Sequence, residues 1–188
     1  SVTGSYTGLQ GLIVVQGTLI IQKGAVSVTN SYTSPSYGVN SNVIYVDGSN
    51  AQLDLQGGVI TDAPSQRNNA SAAIYAVNDS YVVFTKVSGS SISVNGSAYG
   101  IYGRNGAEIS LYGGDVSGNC GVFANLTDGG GFYIHNDNNG SVTGSYAGVY
   151  AHCAKGATTP GVCLLYGGNI TATDGCGSEL SGVHESIL

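Results

Sequence analysis

Tryptophan and methionine are absent from this chain, and charge is scarce: 9% of its residues are Asp, Glu, Lys or Arg, against about 25% in a typical soluble domain. A helical enzyme rarely has so few ionised groups, because its solvent faces are built from Lys, Glu and Arg. The five cations, Lys23, Arg67, Lys86, Arg104 and Lys155, are scattered, and the formal net charge is −6. Phosphate recognition needs clustered Lys and Arg, so the composition argues against a nucleic-acid partner. No apolar run approaches the roughly 20 residues that span a bilayer, which argues against membrane insertion. Proline is limited to three positions, and neither an initiator Met nor a signal-peptide pattern opens the chain, so it reads as a mature or excised segment.

What is present is turn-rich and strand-rich. Among 188 residues there are 31 glycines and 13 tyrosines, a balance that favours β-structure punctuated by tight turns. Residues 1–8 read SVTGSYTG and residues 141–148 read SVTGSYAG. Degenerate copies lie between and beyond them: SVT at 27–29, VIT at 59–61, SVN at 93–95, DVS at 115–117 and NIT at 169–171. From Val2 through Val28, Ile60, Val94, Val116 and Val142 to Ile170 the mean step is about 28 residues, in the range of solenoid repeats.

Two further signatures follow in fixed order. One is a short apolar-aromatic step: IVV at 13–15, IYV at 44–46, IYA at 74–76, IYG at 101–103, VFA at 122–124, VYA at 149–151 and VHE at 183–185. The other alternates and ends in a turn, as in LIIQKG at 19–24, LDLQGG at 53–58, ISLYGG at 109–114 and CLLYGG at 163–168. Three short strands per period predict an all-β fold, a three-sided parallel β-helix (β-solenoid) of about seven coils forming one domain over residues 1–188, for which the resemblance given below implies a right-handed winding. By the side-chain period of two, the Val/Ile column together with Ile109 and Leu111 points inward, and Ser110 and Tyr112 point outward. On this reading the last coil stops after its second strand, leaving strand edges that invite another layer.

The run SVNGSAYGIYG at 93–103, with SVTGSYAGVYA at 141–151 and DVSGNCGVFA at 115–124, resembles the Gly/Ser/Tyr-rich coils of right-handed parallel β-helix (pectin-lyase-like) passengers of bacterial autotransporters and related surface adhesins. The resemblance covers most of the chain, implies a secreted or surface-displayed rod, and carries over no catalytic residue.

Candidate functional residues fall into columns. Tyr45, Tyr75, Tyr102, Phe123 and Tyr150 form an outward contact ladder, with Val14 and His184 at its ends; such rings suit glycan or protein contacts. Tyr112 and Tyr166 belong to a second column beside Gln22, Gln56 and His135. A column through Thr3, Thr29, Thr61, Asn95, Ser117, Thr143 and Thr171 and one two residues earlier through Ser1, Ser27, Val59, Ser93, Asp115, Ser141 and Asn169 resemble the flat hydroxyl faces of ice-binding solenoids, although Asn95 and Asp115 break their regularity. Cys120, Cys153, Cys163 and Cys176 lack zinc spacing and are candidate disulfide partners, Cys153 with Cys163 above all, the rival reading being a buried Cys163 thiol. Asn69, Asn78, Asn95, Asn125, Asn139 and Asn169 each begin a glycosylation sequon.

Chemistry of the usual enzymatic kinds finds little support. His135, His152 and His184 lie in three different repeats, without a G-x-S-x-G turn. The 11 acids are dispersed, whereas a β-helix enzyme acting on acidic polysaccharides needs carboxylates gathered on one face. No cofactor fingerprint occurs. The expectation is therefore a non-enzymatic extracellular or cell-surface protein, self-associating into a filament or longer rod and contacting glycans or a surface partner. Carbohydrate cleavage or binding and ice binding are the alternatives.

Overall fold

A computed structural model describes residues 2–4, 11–28, 41–62, 71–85, 87–135, 140–181 and 186–187. Among these residues the chain is all β, without a helix, and every pairing between strands is parallel. The fold is compatible with the expected β-helix.

Each repeat contributes up to three strands. First-position strands are β1 (Val2–Gly4), β4 (Ala25–Val28), β7 (Gly58–Asp62), β10 (Ile92–Asn95), β13 (Asp115–Asn125), β15 (Ser141–His152) and β17 (Asn169–Ala172). Second-position strands are β2 (Ile13–Val15), β5 (Ser41–Asp47), β8 (Ser71–Val77), β11 (Tyr99–Gly103) and β18 (Cys176–Ser181). The long strands β13 and β15 run through both positions, which joins the two stacks into one 12-stranded sheet. Third-position strands β3 (Thr18–Ile21), β6 (Gln52–Leu55), β9 (Tyr81–Phe84), β12 (Glu108–Leu111), β14 (Gly131–Ile134), β16 (Val162–Leu165) and β19 (Ser186–Ile187) make a separate seven-stranded sheet.

The core lies where the parity of the strands places it. Ile60, Val94, Val116 and Val142 pair in register down the first position. Ile44, Ile74, Ile101, Val122 and Val149 do so down the second, and Leu53, Val82, Ile109, Phe132 and Cys163 down the third. All these side chains are buried in one hydrophobic cluster. Burial of such columns, at about 25 cal/mol per Å² of apolar surface, is what drives a chain with so few ionised residues to fold.

Three expectations about register are corrected. Val26, not Val28, pairs with Ile60 and with Val2. The stretch AVSV offers valines two residues apart, so both satisfy the inward parity, and Thr29 lies outside the described residues. In the last repeat the second-position strand is CGSELS, which places Glu179 rather than His184 opposite Tyr150; His184 is also outside the described residues. That repeat has a third strand as well, Ser186–Ile187, paired with Cys163 and Leu164. Ser110 has the outward parity expected of it but is buried, set in register between Val83 and Tyr133.

The recurring SVTGSY motif has a steric cause at the corner between first and second positions. A Cβ on Gly144 would stand 1.8 Å from the Ala147 carbonyl oxygen, and one on Gly148 would stand 2.6 Å from that of Gly177. Both spacings are far inside van der Waals contact, so only glycine lets the chain turn there. Gly118 and Gly121 repeat the arrangement one corner earlier, and Gly96 and Gly100 two corners earlier.

Candidate binding face

The second-position strands carry the aromatic ladder. Val14, Tyr45, Tyr75, Tyr102, Phe123 and Tyr150 follow one another in register from β2 to β15. The first rings meet edge to face, with centroids 5.4 Å apart for Tyr45–Tyr75 and 5.2 Å for Tyr75–Tyr102. Further along, Tyr102–Phe123 and Phe123–Tyr150 are nearly parallel, at 4.8 Å and 5.1 Å. Parallel rings at that separation are displaced sideways, because carbon faces in contact lie about 3.5–4.0 Å apart. Ring faces within the ladder are thus turned largely to one another, and each such pair adds about 0.5–1.5 kcal/mol beyond burial.

Tyr99, which the ladder signature misses, joins it from the corner. Its ring is edge-on to Tyr102 at 5.0 Å and to Phe123 at 5.6 Å. Arg104 sits over the Tyr75 ring at 5.4 Å, within cation–π range. Tyr75 itself is only 4% exposed and packs with Ala72 and Val77. Burial pushes the phenol pKa of Tyr75 and Tyr102 upward, and the Arg104 charge opposes this in part. Burial acts in the same direction on Tyr45 and Tyr99. At neutral pH these phenols are therefore hydrogen-bond donors, not anions.

The second column is formed from the residues that follow the third-position strands. Gln22 donates from Nε2 to Gln56 Oε1 at 3.2 Å, and the Tyr112 and His135 rings stack at 3.7 Å. Tyr166, 46% exposed, stands one strand further on. The hydroxyl columns are tied into themselves: Ser117 donates to Asn95, Ser141 donates to Asp115, both at 2.7 Å, and Thr143 and Thr171 share a bond at 3.1 Å. Asp54 likewise accepts from Gln56 and Thr85, each at 2.7 Å. Among the described residues no group of three or more His, Cys, Asp or Glu is placed to hold a metal ion.

The cysteines correct an expectation. Cys153 and Cys163 are buried thiols, not a disulfide clip. Cys163 occupies an inward register beside Phe132, and burial pushes its thiol up to about 12. Cys120 and Cys176 are both in register with Ala147, on opposite sides of it. Two strand spacings are about 9.6 Å, beyond the roughly 7 Å Cα separation a disulfide tolerates.

The sequons differ in setting. Asn78 is exposed at φ 57° and donates to Asp47 at 2.7 Å, while Asn105 donates to Asn78 at 3.3 Å, so the turn carries a short amide ladder. Asn95 donates to Ser93 at 3.1 Å, Asn125 accepts from the Thr127 amide at 3.1 Å, and Asn169 is exposed. Asn69 and Asn139 lie outside the described residues.

Asp62 is a buried acid that sequence parity alone does not reveal. At 5% exposed it accepts from the Ser97 hydroxyl at 3.1 Å, and Ser71 also hydrogen-bonds to it. Burial raises its pKa, with the serine bonds opposing. The folded state therefore holds this proton more tightly than the unfolded state, and that advantage is lost as pH rises through the raised pKa. Asp62→Asn is expected to be more stable than the parent at pH 7, with the gain closing as pH falls through the ordinary carboxylate range. Thermal melts at pH 3 and pH 7 check this; a variant less stable than the parent at pH 7 contradicts it.

No protein-family model, curated protein or solved structure matches the chain.

Proposed function

We propose that the chain is a three-sided β-solenoid of about seven coils, right-handed, acting as a non-enzymatic structural element outside the cell: a subunit of a surface fibre or the stalk of an adhesin. The observation that carries the reading is the parallel pairing that recurs at all three strand positions, with apolar side chains repeated at the inward places from Ile44 to Val149 and from Leu53 to Cys163. Seven layers at the strand spacing make a rod about 34 Å long. Its long faces are the surfaces it offers to partners.

Among the described residues, the outermost strands pair on one flank only: β1, β2 and β3 on one side, β17, β18 and β19 on the other. Their open N–H and C=O groups are satisfied by a further layer in the same register, and a second copy supplies one. With a net charge of −6 and few ionised groups, little repulsion opposes such stacking.

Negative-stain microscopy of the purified chain over a concentration series tests the proposal. Filaments of uniform width that lengthen with concentration are expected. Short single particles at every concentration overturn assembly by end-to-end stacking.

A further inference from the structure

The corner between first and second positions is irregular at one repeat. Between registers Gly118↔Gly144 and Cys120↔Ala147, the single residue Asn119 stands opposite the two residues Ser145 and Tyr146. On its other flank, between Asn95↔Ser117 and Tyr99↔Cys120, two residues again oppose three. The repeat that contains Asn119 is thus one residue shorter at this corner than both neighbours. A count mismatch of this kind bends the strand and re-aims side chains, and Tyr146 stands out at 52% exposed.

A groove of about 240 Å³ opens at this point, lined by Tyr99, Asn119, Cys120, Phe123, Tyr146 and Tyr150. One wall is the parallel Phe123–Tyr150 pair, with Tyr99 edge-on to Phe123. Asn119 Oδ1 accepts the Ser145 hydroxyl, which fixes the amide and leaves its two N–H donors for other partners. The lining contains no Asp, Glu, Lys, Arg or His, and burial raises the Tyr99 pKa.

We infer that this groove binds one neutral hexopyranose unit of a glycan. A sugar ring presents an apolar C–H face, which suits the half-exposed Tyr146 ring and the apolar ring edges of Phe123 and Tyr150, and a rim of hydroxyls, which suits the amide donors and phenol groups. An anionic sugar would find no countercharge in the lining, and the groove's volume holds a single ring rather than a helix or a folded peptide. This site is independent of the stacking surfaces at the ends of the rod.

Saturation-transfer NMR titrations with methyl glucopyranoside, methyl galactopyranoside and methyl mannopyranoside, and with a disaccharide of each, test the inference. At least one of these sugars is expected to bind saturably. Tyr146→Ala and Asn119→Ala are each expected to weaken that sugar about tenfold or more, while Tyr166→Ala, at an exposed tyrosine outside the groove, leaves it unchanged. Tyr146 is half exposed, so its truncation spares the core and keeps the test readable if Asn119→Ala does not fold. Absence of saturable binding to the parent chain, or equal weakening by Tyr166→Ala, overturns the inference. Filaments without sugar binding defeat this site and leave the structural reading intact; sugar binding without filaments does the reverse.

Discussion

Phe132→Ala is expected to destabilise the chain by about 3–5 kcal/mol, the cost of truncating a fully buried aromatic side chain and leaving a cavity. Phe132 has no exposed surface and is held in register between Ile109 and Cys163. Neither neighbour can close the gap without breaking its own parallel ladder, so relaxation is limited. Tyr166→Ala, one strand along and outward-facing, is expected to change stability by no more than about 0.5 kcal/mol. Urea unfolding followed by circular dichroism compares the two. Similar midpoints for both variants would show that the inward and outward columns have been exchanged.

Gly148→Ala is expected to cost about 1–3 kcal/mol, and more if the corner cannot shift. The reason is backbone geometry: the new methyl would meet the Gly177 carbonyl oxygen at 2.6 Å and the Ile170 side chain at 2.7 Å. Gly17→Ala provides the contrast, because nothing lies within 4 Å of its Cβ position and its φ is not positive. There the loss of unfolded-state freedom is expected to stabilise by about 0.4–1 kcal/mol. The two substitutions remove the same flexibility from the unfolded chain, so their difference isolates the close approach at the corner. Equal shifts in midpoint would sink that account.

Much of this architecture was legible because the side-chain period is fixed by the pleat. Once SVT and IYG recur in order, Val94 has to face inward beside Val116, and Tyr102 has to stand beside Phe123. Where two registers satisfy the same parity, pattern alone does not choose. Val26 and Val28 are such a pair, and backbone pairing selects Val26. The last repeat misled for a related reason: VHE looks like the apolar-aromatic step, while CGSELS, with Glu at the ring position, does not. The short strand Ser186–Ile187 has too few residues to show any period.

The groove was harder to foresee. Tyr99, Asn119 and Tyr146 sit in corners, where no column rule applies, and only the difference between GNCG and GSYAG marked the spot. That missing residue is the one signal in the sequence from which Tyr146 could have been set apart from the ladder. Asp62 was hidden for another reason: its burial depends on Ser71 and Ser97, which are 9 and 35 residues away. The disulfide expectation failed because cysteine counts say nothing of depth, and Cys163 takes a place that Ile109 and Phe132 fill in earlier repeats.

The matching registers also make chain length a modular quantity. Val94, Val116 and Val142 occupy equivalent places, as do Tyr102, Phe123 and Tyr150, and Ile109, Phe132 and Cys163. Excising residues 115–140 as a block would bring Val94 beside Val142, Tyr102 beside Tyr150 and Ile109 beside Cys163, so each new junction would join the same classes of side chain as the old ones. Duplication of such a block would extend the ladders without inventing a new contact. A gene encoding this protein can therefore grow or shrink by whole repeats while every surviving layer keeps a compatible neighbour, and the reach of the proposed rod becomes a property that recombination adjusts in steps of about 4.8 Å.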